Sequence, residues 1–325
     1  MKICAIVPIA PSEPFTLVEK SIKSLNDLDC SRLDFEVYYV IDSGGGDDEA
    51  LYHLLPSHFH IIVRNDSRGR RAGAINDALN VIEEADYIAL FDVDSRPNID
   101  FLTECVRALT EASNGVLASG CRFVTNKENT LTKIVSIEYK FFCDIYRLGR
   151  WSGGLIQFNG LIGVSKAAFI RSTVFNERCA CEDVDITQQI YLSGSSALLV
   201  NSQVGEQAPT SIQDLYSQRV RWFRGAVEGL RKYFAPMLRA SVPIVVKITW
   251  FGSLTLPFVS FLLAPFVPLY LRAIRAESDS LSESLGILFG VIGYMCLMTL
   301  CGAVAIGQYI TSRKSEWAAM TRSEV

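Results

Sequence analysis

Two pairs of neighbouring carboxylates are the residues of this sequence with the clearest potential for chemistry. Asp92 and Asp94 follow the apolar run YIALF, and carboxylates two residues apart on a loop can converge on one divalent cation. Hard oxygen ligands favour Mg²⁺ or Mn²⁺, which can also bridge a diphosphate. Glu182 and Asp183 open a later helical stretch, where a carboxylate is either a helix cap or a general base. The residues themselves leave both interpretations of the second pair open.

Further candidates are polar, basic and aromatic residues whose spacing places them on one face of a helix. Gln218, Arg221 and Trp222 are three and four residues apart, so they share one face of a helix. Arginine can bind a diphosphate in a bidentate manner, and tryptophan can stack on a sugar ring. The alternative is a basic amphipathic helix that lies on lipid.

Asp42 precedes a glycine-rich turn at residues 43–48, where it either contacts a nucleobase or ribose or simply caps the turn.

An α/β domain must position these residues, and the pattern of apolar runs predicts one over residues 1–235. The predicted strands and helices are strands at 3–9, 36–41, 60–63, 87–91 and 197–200, and helices near 14–28, 70–85 and 99–112. Continuous apolar strands that alternate with helices are typical of a mostly parallel sheet covered on both faces. Ligands of open parallel sheets bind beyond the carboxyl ends of the strands, which is where Asp42, Asp92 and Asp94 fall.

The C-terminal part of the chain differs sharply in composition from this domain. Residues 248–271 and 285–310 carry no charged side chain, and as helices both would be long enough to cross about 30 Å of hydrocarbon. Basic residues before the first segment and after the second favour both chain ends on the cytoplasmic side. We therefore predict a two-helix transmembrane hairpin within residues 236–312 and a cytosolic tail at 313–325. Three prolines could make the first segment kinked or re-entrant.

Composition also restricts the class of protein and its partners. The 325 residues carry 31 basic and 35 acidic side chains, a net charge of −4, and 49% of them are hydrophobic. This mixture excludes disorder, collagen-like repeats and coiled coils, and the lack of a basic excess argues against nucleic acid as a partner. Gly286 and Gly290 have helix-pairing spacing, so homo-oligomerisation through the membrane helices is a further prediction.

In their order along the chain, these motifs resemble those of the membrane-associated family-2 glycosyltransferases, the group that contains cellulose, chitin and hyaluronan synthases. The resemblance covers residues 3–235. The matching residues are VPIAPSE with Pro8, then Asp42, the segment Arg71-Ala72-Gly73-Ala74-Ile75-Asn76, Asp92 with Asp94, Asn159-Gly160, Glu182 with Asp183, and Gln218, Arg221 and Trp222. Any one motif is common, whereas the ordered set is specific. The resemblance implies a GT-A fold, that is, a Rossmann-like nucleotide-sugar-binding domain.

The resemblance also implies an activity, namely inverting and metal-dependent sugar transfer from a nucleotide diphosphate sugar to a lipid-linked or polysaccharide acceptor at the cytoplasmic membrane face. Asp183, with Glu182 beside it, is implied as the catalytic base, and Asp94 with Asp92 as the ligands of Mg²⁺ or Mn²⁺. The residues implied to bind the donor are Pro8, Asp42, Arg71, Asp92 and Arg221. The residues implied to bind the acceptor are Gln218, Trp222, Asn159 and Gly160.

Departures from the family leave alternatives open. The large polymer synthases have a helix before the catalytic domain and more spans after it, so a single copy with two spans could hardly enclose a polysaccharide channel. Arg71 stands where the family segment has lysine. FDVDS around Asp92 also resembles the nucleophile motif of haloacid dehalogenase-type phosphatases, although that motif normally follows the first strand. A non-catalytic membrane partner that retains a sugar-nucleotide fold is the other alternative.

Overall fold

The computed structural model describes residues 1–42 and 53–311, so the glycine-rich turn at 43–48 and the tail at 313–325 lie outside the described residues. The described chain divides into two compact units. The first unit comprises residues 1–121 and 157–205, and the second comprises residues 122–156 and the described residues from 206 onward.

Among the described residues, eight strands form one sheet. In chain order they are β1 (Lys2–Ile9), β2 (Asp34–Asp42), β3 (Phe59–Arg64), β4 (Tyr87–Leu90), β5 (Arg96–Pro97), β6 (Gly115–Val124), β7 (Gly163–Lys166) and β8 (Ser196–Glu206). Their order across the sheet is β3-β2-β1-β4-β7-β6-β8-β5. The first four strands in this order are parallel, whereas β7 runs antiparallel to β4 and β6, and β5 runs antiparallel to β8. The sheet is therefore mixed, and the predicted parallel arrangement holds for one side of it.

Helices connect these strands and continue beyond them. Those that lie wholly within the described residues are α1 (Phe15–Asn26), α2 (Arg70–Val81), α3 (Phe101–Glu111), α4 (Thr130–Ser152), α5 (Ala167–Ser172), α6 (Glu182–Leu192), α7 (Ile212–Arg239), α8 (Ile244–Thr255), α9 (Leu271–Ala276) and α10 (Leu281–Ile310). Two 3-10 segments, Asn159–Leu161 and Leu256–Tyr270, interrupt the regular elements.

The core of the first unit forms because its strands and helices present apolar side chains at the correct period. On α1 the buried residues Leu17, Val18, Ile22 and Leu25 are three to four apart, so they make one stripe along the helix. This stripe packs with inward-facing residues of the strands in one buried cluster. Full burial of each large apolar side chain stabilises the fold by about 1.5–3 kcal/mol.

The register of the parallel strands brings their carboxyl ends to one edge of the sheet. Ile9 pairs with Ile41, and Asp42 pairs with Arg64, so β1, β2 and β3 finish at almost the same level. Strand β4 pairs with β1 up to Leu90, and the loop with the two aspartates follows at that edge. The sequence predicts that the ligand binds at this edge of the sheet, and the structure contains such an edge.

The second unit consists of α4 and α7 to α10 around an apolar cluster that includes Val135, Phe223 and Val291. Helix α10 has 30 residues and is long and apolar enough to cross a membrane. The other predicted span, residues 248–271, is divided between α8, the 3-10 segment and the start of α9.

The division follows from the prolines of that segment. Proline has no N–H to donate and clashes with the preceding turn, so Pro257, Pro265 and Pro268 prevent a continuous α-helix. The break is visible at Val259, whose φ of −118° and ψ of 26° are not helical. The predicted hairpin of two membrane-spanning helices is therefore not confirmed.

Candidate active site

A single guanidinium joins most of the predicted site of the first unit. Arg71 lies in the first turn of α2 and donates from Nε to Asp92 Oδ1, from Nη1 to Glu182 Oε1 and from Nη2 to the Gly160 carbonyl, each at 2.7 Å. Burial alone would lower the pKa of Arg71, but the charges of Asp92 and Glu182 outweigh it and raise the pKa above its ordinary value. The side chain predicted to bind donor phosphate also ties together three of the predicted motifs.

Asp183 is held by backbone N–H groups in the first turn of α6. Its Oδ2 accepts from the Gly160 amide at 2.6 Å, and its Oδ1 accepts from the Val184 amide at 2.8 Å. Burial is the main cause that raises the pKa of Asp183 above its ordinary value, and the charge of Glu182 adds to it. A carboxylate with a raised pKa accepts a proton more readily than an ordinary one, which suits general-base catalysis.

Gly160 occupies the centre of this arrangement because of its backbone conformation. Its φ of 66° lies in the left-handed region, which a residue without a Cβ adopts readily. With that backbone its amide reaches Asp183 while its carbonyl accepts from Arg71. Asn159 precedes it in the same 3-10 segment, so the predicted acceptor-side pair lies beside the predicted base.

The two aspartates of the predicted metal site lie on a tight turn after β4. The Ser95 amide donates to the Asp92 carbonyl and the Ser95 hydroxyl accepts from the Asp92 amide, both at 2.9 Å. Asp94 is buried, and the Asp92 carboxylate is partly exposed. Among the described residues no group of three or more His, Cys, Asp or Glu side chains could hold a metal ion. Asp92 and Asp94 therefore fit a hard cation only as a partial ligand set, which a diphosphate or water must complete.

Asp42 ends β2 and forms a buried ion pair that the sequence interpretation missed. Arg64 Nη1 donates to Asp42 Oδ1 at 2.5 Å, and Arg64 Nε donates to Asp77 at 2.8 Å. Burial raises the pKa of Asp42 above its ordinary value, and the bond from Arg64 only partly offsets this. The sequence feature that could have predicted this ion pair is the position of Arg64 at the end of a strand adjacent to β2. Pro8 lies near the end of β1, at the same edge of the sheet.

The residues of the Q-x-x-R-W motif belong to α7 of the second unit. Between them lies Arg219, a second residue that the sequence interpretation missed, which is only 1% exposed. Its Nη1 donates to Gln218 Oε1 at 2.9 Å, and its guanidinium carbon lies 4.0 Å from the centre of the Trp222 ring. Arg221 lies on the same helix and is half-buried. The signal was the spacing itself, because Arg219 and Trp222 are three residues apart and are therefore neighbours on the helix surface.

Arg219 is anchored by two other helices of the same unit. Its Nη2 donates to Glu138 of α4 at 2.5 Å, and its Nε donates to the Tyr294 hydroxyl of α10 at 3.1 Å. Burial raises the pKa of Glu138, and the charge of Arg219 opposes this. A buried guanidinium whose donors are this well satisfied keeps one orientation, so it also restricts the side chains of Gln218 and Trp222.

Comparison with known proteins identifies relatives of this chain. The family model for glycosyl transferase family group 2 matches residues 87–310. Glucomannan 4-beta-mannosyltransferase 7 of Arabidopsis thaliana is 29% identical over 185 residues, which are 55% of this chain and 33% of that protein. Probable glucomannan 4-beta-mannosyltransferase 3 of Oryza sativa subsp. japonica is 26% identical over 250 residues, which are 74% of this chain and 45% of that protein. The chain thus spans less than half the length of these curated relatives.

Solved structures share the fold. Mannosyltransferase PcManGT from Pyrobaculum calidifontis, in complex with GDP-Man and Mn²⁺, superposes with a TM-score of 0.66 at 17% identity, covering 96% of this chain and 87% of that one. S. aureus TarS 1–349 in complex with UDP-GlcNAc has a TM-score of 0.55 at 14% identity, covering 96% and 92%. The fold is accordingly a mixed α/β, GT-A-like glycosyltransferase fold. Because the family model covers well over half of its residues, the chain belongs to glycosyl transferase family group 2.

Proposed function

We propose that this chain is an inverting glycosyltransferase that moves a sugar from a nucleotide diphosphate sugar to a polysaccharide or lipid-linked acceptor. The observation that carries the proposal is the cluster around Arg71, because it joins the D-x-D loop, the E-D pair and Gly160 by direct hydrogen bonds. Relatives described as glucomannan mannosyltransferases and a structural neighbour bound to GDP-Man support GDP-mannose as the first donor to test.

Asp183 acts as the base in this proposal. The acceptor hydroxyl oxygen attacks the anomeric carbon and forms the new glycosidic bond, while its proton passes to the Asp183 carboxylate. The bond from the anomeric carbon to the diphosphate breaks, and the diphosphate leaves with the electron pair. The raised pKa of Asp183 supports this role, because the proton is taken up more readily by a more basic carboxylate.

Other side chains bind the donor and balance its charge. Asp42 lies at the carboxyl end of β2 and, with Pro8, is proposed to contact the nucleoside. Arg221 is proposed to bind the diphosphate, since a guanidinium can donate hydrogen bonds to two phosphate oxygens at once. Asp94 and Asp92 would hold a divalent cation, Mg²⁺ or Mn²⁺, which when bound supplies electrostatic stabilisation of the diphosphate charge. The neighbour in complex with Mn²⁺ supports this assignment.

The acceptor is proposed to meet Asn159 and Gly160 near the base. Gln218 and Trp222 stay predicted acceptor-binding residues. Tryptophan offers a flat apolar face on which a sugar ring stacks. All candidate catalytic and binding residues precede residue 235, which supports the proposal that residues 1–235 carry the catalytic function.

Membrane association accompanies this activity in our proposal, because α10 is an apolar helix of membrane-spanning length. Attachment at the cytoplasmic face, with two spans and both ends on that side, stays a prediction from the sequence. Homo-oligomerisation through helix pairing also stays a prediction. It is weakened by Gly290, where an added Cβ would lie 2.6 Å from Ile134 Cδ1 of the same chain, so this glycine is already used for packing within the chain.

A donor screen on detergent-solubilised protein tests the activity. GDP-mannose, UDP-GlcNAc and other nucleotide sugars are supplied with Mg²⁺ or Mn²⁺ and a short manno-oligosaccharide, and release of the nucleoside diphosphate is followed. NMR of the product should show a β linkage formed from an α-linked donor. The Asp183→Asn protein is the matched control and should release little product. Retention of the donor configuration, or equal turnover by the control, would contradict the proposed mechanism.

A further inference from the structure

Helix α10 is bound near both of its ends to charged helices of its own unit. Near its start, Glu283 Oε1 accepts from Lys133 Nζ of α4 at 2.5 Å. Near its end, the Tyr309 hydroxyl accepts from Arg231 Nη1 of α7 at 2.5 Å. The two contacts are 26 positions apart, which corresponds to about 39 Å of helix. Two polar anchors therefore lie at opposite ends of the most apolar helix.

The contacts between these anchors follow the same two helices. Gly290 packs on Ile134 of α4, and the Tyr294 hydroxyl accepts from Arg219 of α7 at 3.1 Å. One side of α10 thus lies on α4 near its start and on α7 from its middle to its end.

Neither supporting helix can cross a bilayer. Helix α4 carries Lys133, Glu138, Lys140, Asp144, Arg147 and Arg150. Helix α7 carries Asp214, Arg219, Arg221, Arg224, Glu228, Arg231, Lys232 and Arg239. A membrane span needs about 20 predominantly apolar residues, and a charge at the bilayer centre is costly. Neither sequence contains such a stretch, so the groups that hold both ends of α10 must lie on one side of the hydrocarbon.

The connector before α10 is anchored to the same support. Glu277 follows α9 and is buried, and its carboxylate accepts from Lys140 Nζ at 2.8 Å, from Lys127 Nζ at 2.9 Å and from the Ser136 hydroxyl at 3.0 Å. Lys127 is three residues beyond the end of β6, so the chain itself keeps it within about 11 Å of that strand. A connector tied to this point does not reach the far side of a membrane.

The outer side of α10 presents an unbroken apolar stripe. Its members recur every three or four residues and are exposed: Leu285, Phe289, Ile292, Cys296, Leu300, Ala303, Ile306 and Ile310. Exposed basic residues lie beside both ends of α10, because Arg275 contacts Ser284 and Arg231 contacts Tyr309. Lys232, Arg239 and Arg272 are also exposed on α7 and α9. An apolar stripe with a basic rim is complementary to the acyl chains and anionic headgroups of one leaflet.

We infer that α10 lies in the plane of an anionic membrane, with its apolar stripe in one leaflet and its ends on the same side, and does not cross the bilayer. This inference rests on the membrane association in the proposed function and changes its topology. In this arrangement the segment from α8 to α9 enters the same leaflet and returns.

Three single-cysteine additions distinguish the possible topologies. Glu19→Cys reports the first unit, Asp279→Cys the connector and Thr311→Cys the end of α10, and all three positions are exposed. The proteins are placed in sealed vesicles and treated with a membrane-impermeant maleimide before and after detergent, with the unaltered protein subtracted for its native cysteines. We expect the three positions to be labelled from the same side, to equal extents.

Each other topology gives a different pattern and would overturn the inference. A single span by α10 separates position 311 from positions 19 and 279, and the two-span hairpin separates position 279 from the other two. As a second measurement, Phe289→Trp and Leu300→Trp should be quenched alike by lipids with a spin label at a fixed depth. In a spanning helix their depths would differ by about 16 Å.

Flotation with liposomes separates this inference from the proposed function. If the protein does not float but transfers sugar in detergent, the inference fails while the activity stands. If it floats with equal labelling at all three positions and no donor is turned over, the arrangement in the leaflet stands and the proposed activity fails.

Discussion

At the scale of single residues, the predicted site is organised by arginines as much as by its acids. Arg71 binds Asp92, Glu182 and the Gly160 carbonyl at once, and the Gly160 amide in turn binds Asp183. A guanidinium has five N–H donors in a rigid fork, so it can hold several acceptors where the ammonium of lysine offers a single point charge. The arginine that departs from the family segment therefore suits the geometry around it.

Replacement of Asp183 by asparagine should separate binding from chemistry. The amide keeps a similar shape and can still accept one backbone hydrogen bond, but it cannot take the acceptor proton. Because general-base catalysis contributes about 10²–10⁴-fold, we expect kcat to fall at least about a hundredfold. Donor binding measured by calorimetry should change little, whereas Asp42→Ala should weaken nucleotide binding first. Near-normal kcat in folded Asp183→Asn protein would assign Asp183 to the helix end and direct the search for the base to Glu182.

Replacement of Glu182 by glutamine should move the pH dependence of the reaction. The charge of Glu182 contributes to the raised pKa of Asp183, so its loss lowers that pKa. A base must be deprotonated to act, and activity is lost as the pH falls through its pKa. We therefore expect the acidic limb of the kcat/KM profile to shift to lower pH in Glu182→Gln. A limb that shifts to higher pH, or stays in place with turnover intact, would contradict Asp183 as the titrating base.

The D-x-D loop predicts dependence on a divalent cation. Asp92 and Asp94 offer only two carboxylates, so the affinity for the cation alone should be weak and should increase when the donor is present. Excess chelator should abolish transfer, Mg²⁺ or Mn²⁺ should restore it, and Asp94→Ala should nearly abolish it. Asp100→Ala, a substitution at the start of α3, is the matched control for removal of an acid. Full activity in excess chelator would exclude the metal role.

At the scale of elements, one buried residue of α7 connects the motif helix with two others. Arg219 binds Glu138 of α4 and Tyr294 of α10, and on its own helix it contacts Gln218 and Trp222. Removal of one partner from a buried ion pair leaves an uncompensated charge and typically costs 3–5 kcal/mol. The orientation of the motif side chains thus depends on contacts between helices.

Arg219→Lys tests this dependence. Lysine keeps the charge but cannot reach Glu138, Tyr294 and Gln218 at once, so we expect a lower melting temperature. Because Gln218 and Trp222 lose a restraint, the KM for the acceptor should rise more than kcat falls, with donor binding preserved. Arg224→Lys is the control, since its ion pair with Glu228 lies within a single helix. Equal effects of the two substitutions would show that Arg219 has no special positioning role.

At the scale of the whole molecule, charge and hydropathy are unevenly distributed although the net charge is only −4. The apolar residues of the second unit include its buried cluster, the exposed stripe of α10 and further exposed positions such as Ile248 and Phe251 of α8. Exposed arginines lie against both ends of α10, with Arg275 of α9 at Ser284 and Arg231 of α7 at Tyr309. Attachment to a membrane should therefore have an apolar component and a separate electrostatic component.

The electrostatic component can be removed selectively. Each basic residue near an anionic surface contributes about 1 kcal/mol, so Arg272→Gln with Arg275→Gln should lower partitioning to anionic liposomes roughly twentyfold or more. Binding to neutral liposomes should not change, and high salt should reduce the difference. Arg107→Gln on α3 of the first unit is the control for a lost exposed arginine. An equal loss on neutral and anionic liposomes would mean that the double substitution disturbs the fold instead.

The sequence by itself determined the family, the α/β class and the location of the acids at the ends of strands, since these depend on local order along the chain. Periodic apolar runs specify strands and helices, and an ordered set of motifs is legible without coordinates. The edge that carries Asp42 and Asp92 follows from parallel strand order alone.

Only the tertiary structure decided which groups meet. Arg71 joins residues up to 111 positions away, and Arg64 and Arg219 find buried partners on other elements, because ion pairing in a folded protein depends on distance in space and not on spacing in sequence. An apolar segment of this length has the same hydropathy whether or not it crosses a bilayer. The two C-terminal segments therefore predict two spans from sequence alone. Prolines broke the first segment, and charged helices anchor both ends of the second. Hydropathy counts side chains, whereas topology depends on what those side chains are packed against.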